Sequence, residues 1–539
     1  MQSERRSAVL ILGVLLASAV LGGIYGPSVR ATAAGASDLQ DSVKSFTRVL
    51  AIVQTNYAVP VDVDHDIYQG AIPGMLRMLD PHSTFFDQRT FAVMREEQVG
   101  RYYGVGMQVG PKDGGTVVIV PFMDSPAYKV GIRPGDFIVK IDDKPADTLG
   151  TTEVADLLKG PKGTVVKISV KREGYAQPLD FTVVRDEIPR HSVDLAFLIK
   201  PGIGYIKLSS FTSEQTDREL SDALKQVDVS QLSGLILDLR GNPGGLLNQA
   251  VATADMFLDK NQLIVSDRGR ASPERRYHAV RGSQGVTVPL VVLINGGTAS
   301  AAEIVSGAVQ DHDRGLIVGD TSFGKGLVQN VSQLSEGTGL ALTIARYYTP
   351  SGRLIQRDYK STSLWDYHYN RTPPKPTEVK LTDSGRQVTG GGGITPDVPV
   401  PDPKLDHFQE MLLDRDTFWP YDAGVPGVGG FTLYYLGTKP EVTHSFTVND
   451  AVLKAFRKYL DQEKIHYTDQ DISDNLSWIK LKIKEEVFTS VFGMQDGFKV
   501  KLEDDPQLQK AIESIPQARA LYENVRRIIA QRSAGQSLR

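Results

Sequence analysis

The spacing of apolar residues along the chain changes near residue 99, and the change separates two kinds of predicted structure. Between residues 38 and 98 apolar residues recur every three or four positions, as in SVKSFTRVLAIVQTNY, and this spacing predicts helices. The stretch DPHSTFF (80–86) interrupts the helical pattern with a proline turn. Residues 99–186 carry short runs such as TVVIV, punctuated by Gly, Pro and Asp, which predicts one small β-rich domain.

Strands and helices alternate from residue 187 to residue 404. The run LVVLI (290–294) contains no polar residue, as expected for a strand that is covered on both faces of its sheet. This alternation predicts an α/β core. A Gly- and Pro-rich stretch, GGGGITPDVPVPDPK, ends the core.

Residues 405–539 are predicted to be mostly helical, because VLKAFRKYLDQ and RALYENVRRIIAQ place apolar residues at helical spacing. We expect these helices to pack or assemble, which leaves adaptor binding or self-association open. The whole chain is therefore predicted to be a multidomain α/β protein. Its parts are a helical N-terminal segment (38–98), a β-rich domain (99–186), an α/β core (187–404) and a helical C-terminal region (405–539).

The first 33 residues have the pattern of a secretory signal. Arg5 and Arg6 precede the uncharged run AVLILGVLLASAVLGGI (8–24), and the small-residue site ATA (31–33) follows. The run is close to the shortest length that spans a bilayer, so an uncleaved membrane anchor is the alternative. We expect an exported protein that works in a periplasmic or other extracytoplasmic compartment.

Composition excludes several kinds of chemistry. The 539-residue chain has a formal net charge of −4, which argues against a nucleic-acid-binding surface. It contains no cysteine, so thiolate nucleophiles, disulfides and cysteine-based metal sites are excluded. We expect neither a metal ion nor a cofactor.

The segment NGGTASAAEIV (295–305) places a serine where a strand gives way to a helix. A glycine pair follows the predicted strand, and an Ala-rich helix follows Ser300. Free N–H groups and the positive end of the helix dipole meet there and would stabilise a developing oxyanion. The alternative is an inert capping box, because Ser300 and Glu303 have the required spacing.

A second glycine-rich turn has the same form. LILDLRGNPGGLL (235–247) ends a predicted strand in Gly244 and Gly245, just before another helix. If the two turns lie on neighbouring strands, their N–H groups would form an oxyanion pocket beside Ser300 as nucleophile. Otherwise the glycines only permit tight packing.

Lys325, in GDTSFGKGLVQ (319–329), has two interpretations. The spacing of Gly319, Gly324 and Lys325 matches a phosphate-binding P-loop, but Gly326 replaces the Ser or Thr that would bind magnesium. The second interpretation is a general base. The lysine follows the predicted strand GLIVGD and should emerge at the same sheet edge as Ser300, where burial would lower its pKa.

A lysine base is favoured over a histidine base. His312 lies at the far end of the helix that begins at Ser300, about 18 Å away. The nucleophile elbow of Ser-His-Asp hydrolases is missing, and Ser-Lys is an established variant of the triad. Gln329 lies four residues after Lys325, on the same side in a helix and roughly so in a strand, so its amide is placed to orient the lysine.

These motifs resemble a known family. NGGTASAAEI, GDTSFGKGLVQ and LDLRGNPGG, with RYYTPSGRLIQ and GITPDV farther on, resemble the core motifs of the C-terminal processing peptidases, or tail-specific proteases. The resemblance implies a serine-type peptidase in which Ser300 is the nucleophile, Lys325 the general base and Gln329 the residue that positions the base.

The resemblance also implies the donors of an oxyanion hole. The PGG turn would supply Gly244 or Gly245, without a decision between them, and the residue after the serine would supply Ala301. The likeness covers about residues 42–400, in five motifs that match in order. We place the region after residue 404 in no family pattern, which leaves regulation and oligomeric state open.

The amino side of the core resembles the PDZ domain of the same family, through YYGVGMQV and SPAYKVGIRPGDFIVKID. A Gly-rich loop that enters an edge strand offers N–H groups to a terminal carboxylate, while the strand pairs with the peptide backbone. We therefore expect Gly104, Val105, Gly106 and Met107 to bind the C-terminus of a protein or peptide substrate. The alternative is a β-domain that serves only as a spacer.

Two other classes of function compete with a peptidase. Gly326 argues against a P-loop NTPase, and the presence of both Ser300 and Lys325 argues against a non-enzymatic PDZ scaffold or adaptor of the cell envelope. The expected function is a serine endopeptidase with a Ser-Lys-Gln apparatus. It would cleave exported proteins or tails that its PDZ domain recognises through their C-termini.

Overall fold

The computed structural model of the protein describes residues 33–112, 114–172, 174–283, 286–368, 378–414, 430–438 and 440–536. Residues 1–32 of the predicted secretory segment lie outside these ranges. By their contacts, the described residues divide into a unit that ends at Met78 and a unit that begins at Leu79. No helix within the described ranges is both long and apolar enough to cross a membrane.

The first unit is helical, in agreement with its apolar spacing. Helix α1 covers Ala33–Asn56. Helix α2 (Val63–His65) continues through a π-helical stretch, Asp66–Ala71, into α3 (Ile72–Arg77). The side chain of Asp62 accepts the His65 N–H at 3.1 Å, which satisfies one of the free N–H groups at the start of α2.

The second unit begins with a short strand and a helix. Strand β1 (Thr84–Phe86) follows the predicted turn, and α4 (Gln88–Val99) follows β1. Asp87 begins α4 by accepting the Thr90 N–H at 2.7 Å, and Gly100 ends it in a left-handed conformation. The sequence did not predict β1, because three residues are too few to show a strand period.

Residues 101–189 form the predicted β-rich domain. Its elements are β2 (Arg101–Gly104), β3 (Met107–Lys112), β4 (Gly115–Pro121), α5 (Pro126–Lys129), β5 (Phe137–Ile141), β6 (Lys144–Pro145), α6 (Thr151–Leu158), β7 (Val165–Lys171), β8 (Leu179–Val184) and β9 (Asp186–Pro189). The sheet order is β3-β4-β5-β7-β8, β6 pairs with β5, β2 pairs with β9, and all of these pairs are antiparallel. Val166, Ile168 and Val170 of β7 are buried between more exposed neighbours, so the period of two was readable in the sequence.

The α/β core follows, and within the described residues its helices separate groups of one to three strands. Its elements are β10 (Val193–Lys200), β11 (Ile203–Leu208), α7 (Thr216–Gln226), β12 (Gly234–Asp238), α8 (Leu247–Asp255), β13 (Leu263–Arg268), β14 (Arg275–His278), β15 (Leu290–Ile294), α9 (Ala301–Asp311), β16 (Gly315–Gly319), β17 (Leu327–Gln333), β18 (Gly339–Tyr348), α10 (Leu364–His368), β19 (Glu378–Leu381), β20 (Gln387–Gly390) and β21 (Val398–Pro399). The multidomain α/β prediction is confirmed.

Two sheets organise this core. The central sheet has the order β10-β11-β12-β15-β16-β21, with β10 antiparallel to β11 and every other neighbouring pair parallel. The second sheet is antiparallel, with the order β1-β18-β13-β14 and with β17 also paired to β18. Because β12, β15 and β16 are parallel neighbours, the turns that follow them lie together at the carboxyl ends of these strands.

The C-terminal region adds helices α11 (His407–Asp414), α12 (Phe431–Gly437), α13 (Asp450–Gln462), α14 (Asp469–Asp474), α15 (Leu476–Phe492), α16 (Met494–Lys501), α17 (Pro506–Glu513) and α18 (Ile515–Gln536). Helices α7, α8 and α9 cover one face of the central sheet, and α17 and α18 cover the other through residues such as Leu508 and Ile515. Every side chain of β15 is buried, and each Leu or Ile so buried contributes about 1.5–3 kcal/mol. This two-sided cover explains the uninterrupted apolar run LVVLI.

The same C-terminal region also touches the β-rich domain. Leu433 of α12 and Met494 of α16 pack against Val117 and Ile119 of β4. Helices α12 and α16 thus have an internal packing role, while adaptor binding and self-association of the C-terminal region stay predictions.

Candidate active site

Ser300 lies in a strained turn between β15 and α9. Its backbone torsions are φ 54° and ψ −114°, a combination that costs a non-glycine residue about 1–3 kcal/mol. The neighbouring turn residues are firmly bonded: the side-chain oxygen of Asn295 accepts the Gly297 N–H at 3.0 Å, and the Thr298 hydroxyl donates to the Leu239 carbonyl at 2.9 Å. Strain that survives in so rigid a setting is typical of functional sites.

The predicted pairing of Ser300 with Glu303 is present, but the carboxylate does more than cap the helix. The Ser300 N–H donates to Glu303 Oε2 at 2.7 Å, and the Glu303 N–H donates to the Ser300 carbonyl oxygen at 2.9 Å. The fully buried carboxylate also accepts the Ser322 hydroxyl at 2.5 Å, the Gly324 N–H at 2.7 Å and the Lys325 N–H at 2.9 Å. These three further bonds tie the serine turn to the loop that carries the lysine.

Burial and hydrogen bonding act on Glu303 in opposite directions. Burial raises the pKa of the Glu303 carboxyl, and the donors around it reduce that rise without cancelling it. Tyr347 makes a second link between the two loops, because its buried hydroxyl lies 3.0 Å from the Ser300 carbonyl oxygen and also donates to the Lys325 carbonyl. The Ser300 turn and the lysine loop are thus joined by two buried side chains.

Lys325 lies in the loop between β16 and β17, with its side chain half-buried. Its Nζ donates to Oε1 of Gln329 at 3.1 Å. Burial lowers the pKa of Lys325, while the negative charges of Glu303 and Asp80 oppose this shift. A lysine with a lowered pKa carries a larger fraction of neutral amine, which is the form that can accept a proton.

Gln329 lies on β17 with both ends of its amide bonded. Oε1 accepts Lys325 Nζ, and Nε2 donates to the backbone carbonyl of His82, a residue 247 positions earlier in the chain. The sequence expectation that Lys325 and Gln329 lie on one side of the chain agrees with this contact. Nothing local in the sequence indicated the role of the His82 carbonyl.

Ser300 and Lys325 lie on adjoining loops, but their side chains are not hydrogen-bonded to each other. Among the described residues, the structure has no hydrogen bond between the Ser300 hydroxyl and Lys325 Nζ. Catalytic hydrogen bonds are often long in the absence of substrate and tighten in the substrate complex. In this structure, the contacts of Glu303 and Tyr347 hold the two loops beside each other.

The two glycine-rich turns meet, as the sequence analysis required. A methyl group added at Gly244 would lie 2.8 Å from the Ala301 nitrogen and 2.8 Å from Ser300 Cβ. The Gly244 N–H donates to the Asn242 side-chain oxygen at 2.9 Å. Within the described residues, the N–H groups of Gly245 and Ala301 have no hydrogen-bond acceptor. Gly245 is exposed, whereas Ala301 is buried.

Buried charges hold the Gly244 turn in place. Asp238, at the end of β12, accepts Arg240 Nη2 at 2.6 Å and Lys207 Nζ at 3.3 Å. Burial opposes ionisation of Asp238, but the attraction of Arg240 and Lys207 outweighs it and holds the pKa of Asp238 well below its ordinary value. Arg240 also pairs with Asp505 at 2.7 Å, and Asp505 begins α17, so the C-terminal helices help to position this turn.

The four residues predicted to bind a peptide carboxylate lie where β2 gives way to β3. Gly104 ends β2 and Met107 begins β3, while Val105 and Met107 are buried. Gly106 has φ 76°, and a methyl group there would come within 2.5 Å of Ser125 Cβ, so the loop requires glycine. The Val105 carbonyl accepts the Ala127 N–H at 2.8 Å, which anchors the loop inside the β-rich domain.

The P-loop interpretation of Lys325 does not agree with the fold. The lysine is followed by strand β17, whereas a phosphate-binding loop leads into a helix whose N–H groups face the phosphate. The Gly326 N–H donates to the Gln356 side chain at 2.8 Å, so it is not free for a phosphate. The described residues also contain no cluster of three or more acidic or histidine side chains that could hold a metal ion.

Sequence reasoning missed three contributors to this site. Glu303 was noted only as a capping residue, because a carboxylate that caps a helix and one that joins two loops have the same local pattern. Tyr347 is part of RYYTPSG, where only the motif was recognised. His82 follows Asp-Pro, which signals a turn and nothing about the residue that the turn contacts.

Comparison with known proteins identifies the family of the chain. Residues 202–361 match Peptidase family S41, and residues 123–172 match the PDZ domain. A carboxy-terminal-processing protease of Bartonella bacilliformis is 39% identical over 360 residues, which is 65% of this chain and 80% of the relative. Carboxy-terminal processing protease CtpA of Bacillus subtilis is 30% identical over 513 residues, which is 94% of this chain and 97% of the relative.

Fold and comparisons together define an α/β serine peptidase that carries a PDZ domain. More specifically, the chain belongs to Peptidase family S41, among relatives described as carboxy-terminal processing proteases. The resemblance read from the sequence motifs is confirmed.

Proposed function

We propose that this protein is a serine endopeptidase in which Ser300 is the nucleophile and Lys325 the general base. The observation that carries the proposal is the position of Lys325: a desolvated amine, held by Gln329, on a loop that Glu303 ties to the Ser300 turn. Burial favours the neutral amine, and the amide of Gln329 restricts its rotation. Both effects suit a lysine that takes a proton from a hydroxyl.

The reaction would proceed in two halves. As the Ser300 hydroxyl oxygen attacks the substrate carbonyl carbon, its proton passes to Lys325 Nζ, and the carbonyl π electrons move to oxygen. Collapse of this intermediate breaks the C–N bond, and the lysine ammonium returns the proton to the leaving amine. A water molecule, deprotonated by the neutral lysine, then attacks the ester, and the Ser300 oxygen recovers its proton as the carboxylic acid leaves.

Gly245 and Ala301 are the favoured oxyanion donors. Their N–H groups have no acceptor within the described residues, whereas the Gly244 N–H is bonded to Asn242. Both lie on turns that meet at Ser300, and Ala301 is the first residue of α9, where the helix dipole adds positive potential. We assign Gly244 a steric role, because its lack of a side chain lets the two turns approach.

The PDZ domain would capture the substrate C-terminus at Gly104–Met107. The loop precedes strand β3, so a peptide could place its carboxylate at the loop and pair its backbone with the strand. We propose that the substrates are exported proteins or tails, because residues 1–33 have the pattern of a secretory signal or a membrane anchor. A reporter fused after residue 40 would show whether the chain leaves the cytoplasm.

Cleavage and binding assays separate this function from a non-enzymatic scaffold. An unfolded reporter ending in small apolar residues is incubated with the wild type and with Ser300→Ala, and peptide binding is measured with free and amidated C-termini. A peptidase predicts cleavage only by the wild type, with both proteins binding the free carboxylate more tightly. Equal lack of cleavage by both proteins, with binding retained, would instead support the scaffold.

A further inference from the structure

The residues that precede β1 form a tightly bonded turn. The buried Asp80 accepts the N–H groups of His82 and Ser83, each at 2.8 Å, on one carboxylate oxygen, and the Ser83 hydroxyl at 2.8 Å on the other. An aspartate that bonds the backbone two or three residues ahead fixes the turn's conformation. The Ser83 hydroxyl oxygen also accepts the Thr343 N–H at 3.1 Å, which fastens the turn to β18.

This turn reaches the lysine through one amide. The His82 carbonyl accepts Gln329 Nε2, and the opposite end of that amide accepts Lys325 Nζ. An amide has a donor end and an acceptor end, so fixing Nε2 on a carbonyl forces Oε1 toward the lysine. Without the carbonyl, the amide could turn over and donate an N–H to the lone pair of the neutral amine, which is the lone pair that must accept the serine proton.

The His82 ring adds no competing charge beside the lysine. Burial, followed by the nearby positive charge of Lys325, lowers the pKa of His82 to about 3, and its Nε2 lies 2.9 Å from the Tyr367 hydroxyl. His368 and Arg357 also lower the pKa of His82, while Asp80 raises it. The ring is therefore neutral at the pH values at which a lysine base works.

We infer that the Asp80–Ser83 turn is a positioning element of the active centre, which orients Gln329 and through it Lys325. The inference rests on the proposed role of Lys325 as general base. No residue of the turn is required to touch the substrate. The segment that precedes the PDZ domain would thus contribute to the rate of peptide cleavage and not to substrate capture.

Variants of Asp80 test the inference. Asp80→Ala removes the three hydrogen bonds that the Asp80 carboxylate accepts. The substitution should lower kcat about 10- to 100-fold and leave KM unchanged, because only the lysine base is displaced. Asp80→Asn keeps a side-chain oxygen for the two N–H groups and should restore most of kcat. It also removes a negative charge that raises the pKa of Lys325, so the acid limb of kcat/KM should move to lower pH.

A double-mutant cycle separates positioning from general loss of structure. Gln329→Ala alone should lower kcat by about 10- to 1000-fold. If the turn acts through Gln329, the double variant Asp80→Ala with Gln329→Ala should be no slower than Gln329→Ala alone. Effects of the two substitutions that multiply would overturn the inference, as would a fall in kcat/KM that comes from KM only.

Two further variants complete the experiment. Asp87→Ala, which removes the capping bond of α4 in the same connector, is the matched control and should leave kcat and the pH profile unchanged. If Asp80→Ala does not fold, Ser83→Ala removes two bonds of the turn and enters the same cycle, with a smaller effect. An active Ser300→Ala variant would reject the proposed function itself. If Ser300→Ala is inactive but the effects of Asp80→Ala and Gln329→Ala on kcat multiply, only the positioning role is rejected.

Discussion

The Glu303 carboxylate accepts the Ser300 backbone N–H at 2.7 Å. It also accepts three hydrogen bonds from the lysine loop, from the Ser322 hydroxyl and from the N–H groups of Gly324 and Lys325. One buried side chain thereby sets the distance between the candidate nucleophile and the candidate base. Within the described residues, α6 and α14 begin with a similar pairing, in which Glu153 accepts the Gly150 N–H and Asp471 accepts the Thr468 N–H.

Glu303→Gln should therefore destabilise the protein and lower its activity. A glutamine has one acceptor oxygen, so at least one buried N–H or hydroxyl loses its partner, at a cost of about 1–3 kcal/mol per group. Urea unfolding should show this loss, and hydrolysis at saturating substrate should be slower. Glu153→Gln is the control, because among the described residues Glu153 accepts a single donor, the Gly150 N–H at 2.9 Å, on an exposed helix start. Equal effects of the two substitutions would contradict the linking role of Glu303.

Ser300→Ala should abolish cleavage while leaving the fold intact. Loss of the hydroxyl removes the covalent route, so a fall of about 10⁴-fold or more in kcat is expected. Ser306→Ala is the matched control on the same helix: the buried Ser306 hydroxyl donates to the Ala302 carbonyl at 2.9 Å and lies 3.5 Å from the Glu303 backbone carbonyl, so its loss leaves the contacts of the Glu303 carboxylate in place. Activity of Ser300→Ala within about tenfold of the wild type would reject the serine as nucleophile.

Lys325→Arg should be as inactive as Lys325→Ala. Arginine keeps the positive charge but does not deprotonate in proteins, so it cannot accept the serine proton. Single-turnover cleavage of a reporter measures the effect on chemistry. A phosphate-binding lysine would behave differently, since either cation holds a phosphate, and an active arginine variant would revive that interpretation.

The pH dependence should follow the neutral amine. Because burial lowers the pKa of Lys325, kcat/KM should rise with pH through that lowered pKa and level off above it, at lower pH than for an exposed lysine. His82, with a pKa of about 3, is neutral throughout this range and cannot produce the rise. His312→Gln should leave the profile in place. A rise that disappears in this variant would point to a histidine base.

Gly244→Ala should lower activity by moving the nucleophile. Its new methyl group would meet the Ala301 nitrogen and Ser300 Cβ, each at 2.8 Å, at a residue with φ 95°. Gly241→Ala is the control, because it has φ 68° but open space around the added group. Both variants should lose about 1–2 kcal/mol of stability from the positive φ, and only the first should lose most of its kcat. Similar kcat values for Gly244→Ala and Gly241→Ala would contradict the steric role of Gly244.

Much of the candidate site was predictable because its signals are local. A strand followed by a glycine pair and a helix places Ser300 at a helix start. A four-residue spacing places Gln329, on β17, beside Lys325 in the preceding loop. The apolar runs predicted the α/β core, and the Gly- and Pro-punctuated short strands predicted the β-rich domain. Each of these features depends on residues within a few positions of one another, so the chain sequence displays them directly.

Tertiary structure alone decided the contacts between distant segments. The sequence shows Glu303 as a cap, whereas the fold brings the lysine loop onto the same carboxylate. It shows DPHSTFF as a turn, whereas the fold places the His82 carbonyl on Gln329. It shows amphipathic C-terminal helices, whereas the fold places them on the second face of the central sheet. Sequence periodicity specifies which face of an element is apolar but not which partner covers it, because that partner is selected by packing of the whole chain.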